Sequence, residues 1–431
     1  MSPETIGGVG VVVLLVLMYA RMSIGLSMMF VGFWGLVFLT GFKTAFAVLA
    51  TVPYRTVADY PITAIPLFVL MGVVVSNMGV GKDLYYTANK WIGSMRGGLA
   101  MATVAACAGF AAICGSSSAT AATMGKIAVP EMRQYRYNER LSSGCVAAGG
   151  TMGILIPPSM GFILYGILTG QSIGHLFMAG ILPGITQALF YMGTIYIICR
   201  ANPDLGPAGP KSDFKEKVAS LGAVWPTLAL FLLVIGGIYQ GVCTPTEAGA
   251  VGAFGSIVIT FLMRRATGRR ILDSILETGK TTGMIIVMIV GAFVFSNFMA
   301  MTKLPVGLGE FVANLPVSRY IILIIIIFVY ILLGMFLDIF AAIIFTVPIF
   351  YPVIEALGFD AIWYGVLMVR VIEIGLITPP VGMNVFILSG VVGTQVSTIF
   401  RGVVPFVIAD TLNLVVLIAF PIVSLFIPSR M

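Results

Sequence analysis

The chain has 431 residues, of which 59% are hydrophobic and only 10% charged, with a formal net charge of +7 and a mean hydropathy of +1.06. Soluble domains carry about a quarter charged residues, so this composition excludes a soluble globular protein and defines a polytopic membrane protein. The basic residues are scattered through short loops, which reads as membrane topology and not as a nucleic-acid surface.

In chain order, the first apolar run covers residues 6–20 and follows neither a basic n-region nor a small-residue cleavage site. It is read as a retained membrane helix and not a signal peptide. A second span follows at 25–41, a moderately polar stretch at 43–60, and a third span at 62–78 that contains Ser76-Asn77. Residues 97–130 form a two-part apolar stretch with "GSSSAT" at its middle. Then "GILIPPSMGFIL", residues 153–164, sets two adjacent prolines inside a long apolar run. Proline removes an amide donor and breaks a helix. The Pro-, Gly- and charge-rich stretch "RANPDLGPAGPKSDFKEK", residues 200–217, reads as a linker that nearly bisects the chain.

The second half repeats this order of parts. Spans at 221–239 and 248–263 precede a polar stretch at 264–280, where Ile271, Leu272, Ile275 and Leu276 share one helical face. That pattern predicts a helix in the interface plane. A span at 281–301 contains Ser296-Asn297, a two-part stretch at 319–352 carries "FLDIFA" at its middle, and "GLITPPVGMNVFIL" follows at 375–388. At a fixed offset of 222, Ala119 matches Ala341, Pro130 matches Pro352, Gly153 matches Gly375, and Pro157-Pro158 match Pro379-Pro380. Gly180 and Pro183 match Gly402 and Pro405 at the same offset. Matches in register, with the order of parts kept, define an internal repeat of the kind found in secondary transporters. The first repeat is placed at residues 1–199 (scaffold 1–80, hairpin 97–130, broken helix 142–170) and the linker at 200–220. The second repeat is placed at 221–431 (scaffold and arm 221–301, hairpin 319–352, broken helix 361–395).

Charge counting orients the repeats. With the two-part stretches as re-entrant hairpins and the N-terminus outside, the outer side receives only Lys43, Arg55, Lys303, Arg319 and Arg430. Arg370 lies within an apolar run, and the other 18 of the 24 basic residues fall inside. If either hairpin crossed the membrane this asymmetry would vanish, so the first hairpin opens inward and the second outward. The expected fold is therefore all-α and polytopic, two inverted repeats with re-entrant hairpins and broken helices.

Non-helical backbone at membrane depth belongs where it is buried in protein or lines a wet cavity. Broken helix ends expose carbonyls, and oxygen ligands suit a hard cation. Ser116, Ser117, Ser118 and Thr120 add hydroxyls at the first tip, and Gly149, Gly150 and Thr151 precede the first break. Asp338 supplies a carboxylate at the second tip, and Gly375, Thr378 and Asn384 surround the second break. One monovalent cation per half is the economical reading. Helix packing is the alternative for the serines, and a capping role is the alternative for Asp338, whose carboxylate is otherwise a cation ligand or gate. Arg370 and Glu373, at i and i+3, read as a buried ion pair, with anion binding as the other role for Arg370. Glu247, just after Pro245, is expected to stabilise a helix N-terminus. No role is assigned to Asp410 or to His175, the one histidine. The five cysteines lie in apolar runs without metal-ligand spacing. No nucleophile–base pair stands out, so an enzyme is not expected.

Taken together, "GSSSATAATMG", "LIPPSMGFILYG", "TPTEAGAVGA", "FLDIFAAIIFTVPIFYPV" and "GLITPPVGMNVFIL" resemble the large membrane subunit of TRAP, the tripartite ATP-independent periplasmic transporters, over nearly the whole chain. The resemblance implies sodium-coupled import of small organic anions across the bacterial inner membrane by an elevator-type fold, and the charge count predicts both termini periplasmic. It implies two partners: a periplasmic substrate-binding protein and a small four-helix membrane subunit, here expected as a separate chain because no extra four-helix segment precedes the first span. It implies one sodium site around Ser116, Ser117, Ser118, Gly149, Gly150 and Thr151, and a second around Asp338, Ala341, Gly375 and Thr378. Substrate is then expected near Thr151, Pro157, Pro158, Pro379, Pro380 and Asn384, leaning toward Asn384 because the second break is the more polar copy. The other readings are a sodium/anion symporter that needs no binding protein, and an anion channel.

Overall fold

A computed structural model describes residues 2–313 and 316–431. Among the described residues there is no strand, and seven helices are long and apolar enough to cross a membrane. The first half runs α1 (Pro3–Tyr19), α2 (Ile24–Thr40), α3 (Phe42–Ala58), α4 (Ala64–Asn77), α5 (Val80–Ile92), α6 (Gly98–Cys114), α7 (Ser117–Gln134), α8 (Glu139–Thr151), α9 (Met160–Thr169) and α10 (Ile173–Ala201). The second half runs α11 (Phe214–Tyr239), α12 (Pro245–Leu262), α13 (Gly268–Thr302), α14 (Leu304–Ala313), α15 (Arg319–Gly334), α16 (Ile339–Ala356), α17 (Ala361–Ile377), α18 (Met383–Val392) and α19 (Val396–Ala419). Shifted by 222 residues, α7 falls on α16, α8 on the start of α17, and α9 within one residue of α18. The Pro157-Pro158 and Pro379-Pro380 bonds are both cis.

One expectation needs correction. Residues 264–280 do not form a separate interfacial helix: α13 continues unbroken for 35 residues, a length of about 52 Å. The first half breaks at the equivalent place because Pro61, just after α3, cannot donate a helical hydrogen bond. Its match at the offset of 222 is Gly283, which keeps its amide and leaves the helix intact. The apolar stripe of that segment stays unpartnered, with Leu272, Ile275 and Leu276 each at least half exposed.

Short polar side chains start the helices by accepting from the first free amides, each cap contributing about 1 kcal/mol. Glu247 has its expected place, in a capping box with Thr244 at the start of α12. Two close crossings then set the packing. In the scaffold, α2 lies against α13 so tightly that a Cβ on Gly291 would sit 2.1 Å from the Gly25 carbonyl oxygen. Between the halves, α8 meets α19, where a Cβ on Gly144 would sit 2.3 Å from the Gly402 oxygen. Small residues at such crossings let membrane helices gain dispersion contacts backbone to backbone. The helices α5 and α14 flank the hairpins as arms, α5 against α6 and α14 against α16.

At the base of the first hairpin, Arg133 ties three elements together. Its guanidinium donates to Glu139 (2.6 Å), to the Thr394 hydroxyl (2.9 Å) and to the Val392 carbonyl (3.3 Å). Arg133 first, and then Thr394, hold the Glu139 carboxyl below its ordinary range. A depressed carboxyl stabilises the fold above its unfolded pKa, about 4.3, and that stabilisation is lost as pH falls through the folded value. The pair is about half exposed, so Glu139→Gln is expected to lower stability at pH 7 by less than about 1 kcal/mol. In thermal melts of the detergent-solubilised protein, the gap between this variant and the wild type should close as pH falls below about 4.

Candidate functional site

Each half brings a hairpin tip onto its own broken helix. In the first, α6 ends at Gly115, which turns the chain at φ +63°. Ser116 then caps α7 by accepting from the Ala119 amide (3.4 Å). The tip rests on the break: a Cβ on Gly153 would lie 2.5 Å from the Ser116 carbonyl oxygen, and one on Gly115 2.7 Å from the Pro158 oxygen. Gly150 faces Ala121 just beyond the tip, at 2.7 Å on the same measure. Beyond the break Ser159 caps α9 and donates to the Ile154 carbonyl, so the interruption is closed by its own hydroxyl.

In the second half, Asp338 occupies the place of Ser116 and caps α16, with Oδ1 accepting from the Ala341 amide (3.1 Å). Asp338 therefore has a capping role, and the cap engages one carboxylate oxygen. Gly375, the match of Gly153, packs on Gly334 at the tip, where an added Cβ would lie 2.6 Å from the backbone. The Gly382 amide donates to the Met335 carbonyl across the same contact (3.2 Å). Thr378 returns its hydroxyl to the Ile374 carbonyl (2.5 Å). Asn384, in the first turn of α18, is fully buried, and neither its Oδ1 nor its Nδ2 has a hydrogen-bond partner.

The two Pro-Pro breaks are not equivalent in exposure. Pro157 and Pro158 are buried, while Pro379 and Pro380 are exposed. Ser117 is buried and Ser118 half-buried at the first tip. The Thr151 hydroxyl is fully buried and already engaged: it donates to the Ala148 carbonyl (2.8 Å) and accepts from Gln187 Nε2 (3.3 Å).

A cavity of about 130 Å³ separates the first tip from the scaffold. Gly72 and Ser76 of α4 line one wall, Glu277 and Thr281 of α13 another, and Cys114, Ser116 and Ala119 the hairpin side, with Phe340 of α16 beside them. Ser116 is the one predicted site residue among these lining groups. Scaffold and hairpin meet closely here, since a Cβ on Gly72 would lie 2.6 Å from the Cys114 oxygen. Ser76 and Thr123 hydroxyls stand 3.3 Å apart across the same seam.

Behind the breaks lies a buried charged cluster. The Arg370–Glu373 pair expected from sequence is present, Nη1 to Oε2 at 2.7 Å, with both side chains fully buried. Asp410, given no role on sequence grounds, is the second partner: Arg370 Nη2 donates to its Oδ1 at 2.5 Å. Arg370 Nε donates to Asn413 (3.1 Å), and Tyr191 donates its hydroxyl to Asp410 Oδ2 (2.8 Å). Arg370 therefore spends its donors inside the protein and presents no exposed face to an anion. The sequence carried one signal for this cluster: Asp410 and Asn413, at i and i+3, put two polar groups on one face of an apolar helix, which is costly unless each finds a partner.

These elements define an all-α polytopic membrane protein of the elevator-type transporter fold. The YdaH transporter of Alcanivorax borkumensis shares the fold, with a TM-score of 0.62 at 12% identity, covering 90% of this chain and 88% of that one. The family model described as "Tripartite ATP-independent periplasmic transporter, DctM component" matches residues 11–423, and the chain belongs to that family of large TRAP permeases. It is 37% identical over 382 residues to the C4-dicarboxylate TRAP transporter large permease DctM of Pseudomonas aeruginosa, covering 88% of this chain and 89% of that protein. It is 35% identical over 363 residues to the isethionate TRAP transporter permease DctMQ of Oleidesulfovibrio alaskensis, covering 83% of this chain and 56% of that protein.

Proposed function

We propose that this permease is the sodium-coupled transport subunit of a three-component importer of small organic anions. A periplasmic binding protein delivers the substrate, and a small four-helix membrane subunit braces the permease in the bacterial inner membrane, with both termini periplasmic. The observation that carries this reading is Asn384. A buried amide without partners costs about 1–3 kcal/mol, and a carboxylate or sulfonate with a bridging donor would satisfy it. The site stands at the start of α18, where free backbone amides and the helix dipole favour negative charge. The names of two relatives, a C4-dicarboxylate and an isethionate permease, belong to that chemical class.

The two cation sites are proposed where tip meets break. Ser116, Ser117 and Ser118 with the backbone of Gly149, Gly150 and Thr151 form the first; Asp338 and Ala341 with Gly375 and Thr378 form the second. All their donors are oxygens, as sodium requires. Because its hydroxyl is engaged, Thr151 contributes to the first site through its carbonyl. The buried Pro157 and Pro158 shape the first break, and the exposed Pro379 and Pro380 flank substrate at the second. In an elevator cycle the hairpins and broken helices move past α4 and α13, which requires the Ser76–Thr123 contact to open.

Uptake of labelled C4-dicarboxylate and of isethionate into proteoliposomes holding the permease and its small subunit tests this. Uptake is expected only with an inward sodium gradient and the loaded binding protein, and it should be lost in Asp338→Ala. Full uptake without the binding protein would establish a self-sufficient symporter, and a sodium-independent anion current would establish a channel.

A further inference from the structure

The buried cluster does more than neutralise Arg370. A run of hydrogen bonds leads from Thr151, at the first break, to Glu373 on the helix that ends at the second. Gln187 Nε2 donates both to Thr151 Oγ1 (3.3 Å), at the last residue of α8, and to the Tyr191 hydroxyl (3.1 Å). Tyr191 donates to Asp410 Oδ2 (2.8 Å), Arg370 Nη2 donates to Asp410 Oδ1 (2.5 Å), and Arg370 Nη1 donates to Glu373 (2.7 Å). Glu373 lies two residues before Gly375, in the last turns of α17.

Donor chemistry fixes the direction of this run. The Thr151 hydroxyl spends its proton on the Ala148 carbonyl, and Tyr191 spends its own on Asp410. Each can then only accept from Gln187, so the amide must present its nitrogen to both. Thr151, Gln187, Tyr191, Arg370, Glu373 and Asp410 are all fully buried. Because all six are shut away from bulk solvent, displacing one member leaves a neighbour unsatisfied at low dielectric. Three of the links also pass between halves or between separate helices of one half: α8 to α10, α10 to α19, and α19 to α17.

We propose that Gln187, Tyr191 and Asp410 are positioning residues that couple the two cation sites. The run makes the backbone at the end of α8 and the backbone at the end of α17 adjust together, so that a cation ordering one break favours the other. This rests on the sodium reading above. The coupling free energy belongs to the pair of sites and is reciprocal.

Tyr191→Phe cuts the run at its centre while keeping the ring that packs edge-on against Phe406, with centroids 5.4 Å apart. It also leaves Arg370 paired with both carboxylates. In the reconstituted transporter, sodium titrations of uptake should show half-saturating sodium raised on the order of 3- to 10-fold in Tyr191→Phe, with the Hill coefficient falling toward about 1. Uptake at saturating sodium should stay within about twofold of wild type. Gln187→Met should move the curve the same way by a smaller factor, since the Thr151 and Tyr191 hydroxyls still stand 3.5 Å apart without the amide. Tyr330→Phe, which removes another buried hydroxyl pair (Tyr330 to Tyr364, 3.0 Å) away from the run, should leave the sodium curve in place. If wild-type uptake does not depend on sodium, the functional reading fails and the coupling falls with it. If wild-type uptake rises steeply with sodium and both run variants keep its midpoint and slope, the coupling alone is overturned.

Discussion

Arg370→Met is expected to destabilise the permease by about 3–5 kcal/mol, the cost of removing one partner from a buried ionic cluster. Methionine fills most of the arginine's volume, so loss of packing is a minor part of this. What dominates is that Asp410 and Glu373, both fully buried, lose their shared cation. Tyr191 still donates to Asp410, but Glu373 Oε1 already lacks a partner, and without Arg370 neither of its oxygens faces a cation. The effect should reverse when the charges go together. Arg370→Met combined with Glu373→Gln and Asp410→Asn removes the uncompensated carboxylates, and buried ion clusters replaced as a set are often neutral in stability. Thermal unfolding of the detergent-solubilised protein measures both: a large drop for the single variant and recovery of most of it in the triple. A single variant that melts with the wild type would show that the cluster does not contribute to stability.

The same cluster marks where sequence reading reaches its limit. Arg370 and Glu373 share a helix face, so their pairing follows from spacing alone. Asp410 lies 40 residues on in another helix, and its partner depends on the Gly144–Gly402 crossing that brings α19 against the broken helices. Caps were more legible, because Ser116 and Asp338 occupy matched positions before matched Ala119 and Ala341 amides. The repeat offset likewise located both hairpins and both breaks, since glycine and proline act on the backbone locally. The continuity of α13 was not legible. Polar composition at residues 264–280 looks the same in an interfacial helix and in the end of a long one, and what marks the break in the first half is Pro61, where the second half has Gly283. Nor does a hydroxyl in a sequence reveal its direction: Thr151 reads as a ligand until Ala148 and Gln187 are seen to hold it.

Gly153→Ala is expected to reduce uptake by about tenfold or more, because positioning errors of about 1 Å suffice to cost that much at an assembled site. The new methyl would stand 2.5 Å from the Ser116 carbonyl oxygen and 2.8 Å from Thr120 Oγ1. The nearer atom belongs to the backbone and cannot rotate away, so tip and break must separate. Overpacking of this kind costs about 1–3 kcal/mol, too little to unfold the protein but enough to part the two oxygen sets proposed for the first cation. Gly375→Ala makes the same intrusion in the second half, 2.6 Å from the Gly334 backbone. The two variants should therefore fail alike, both in uptake and in sodium-dependent protection from thermal unfolding. Gly193→Ala is the control, since nothing lies within 4 Å of its added methyl, and alanine raises helix propensity by about 1 kcal/mol. It should transport as the wild type does. Normal uptake in Gly153→Ala and Gly375→Ala, with the sodium midpoint unmoved, would mean that the cations bind away from the tip–break contacts. A loss confined to one half would assign the coupling ion to that half alone.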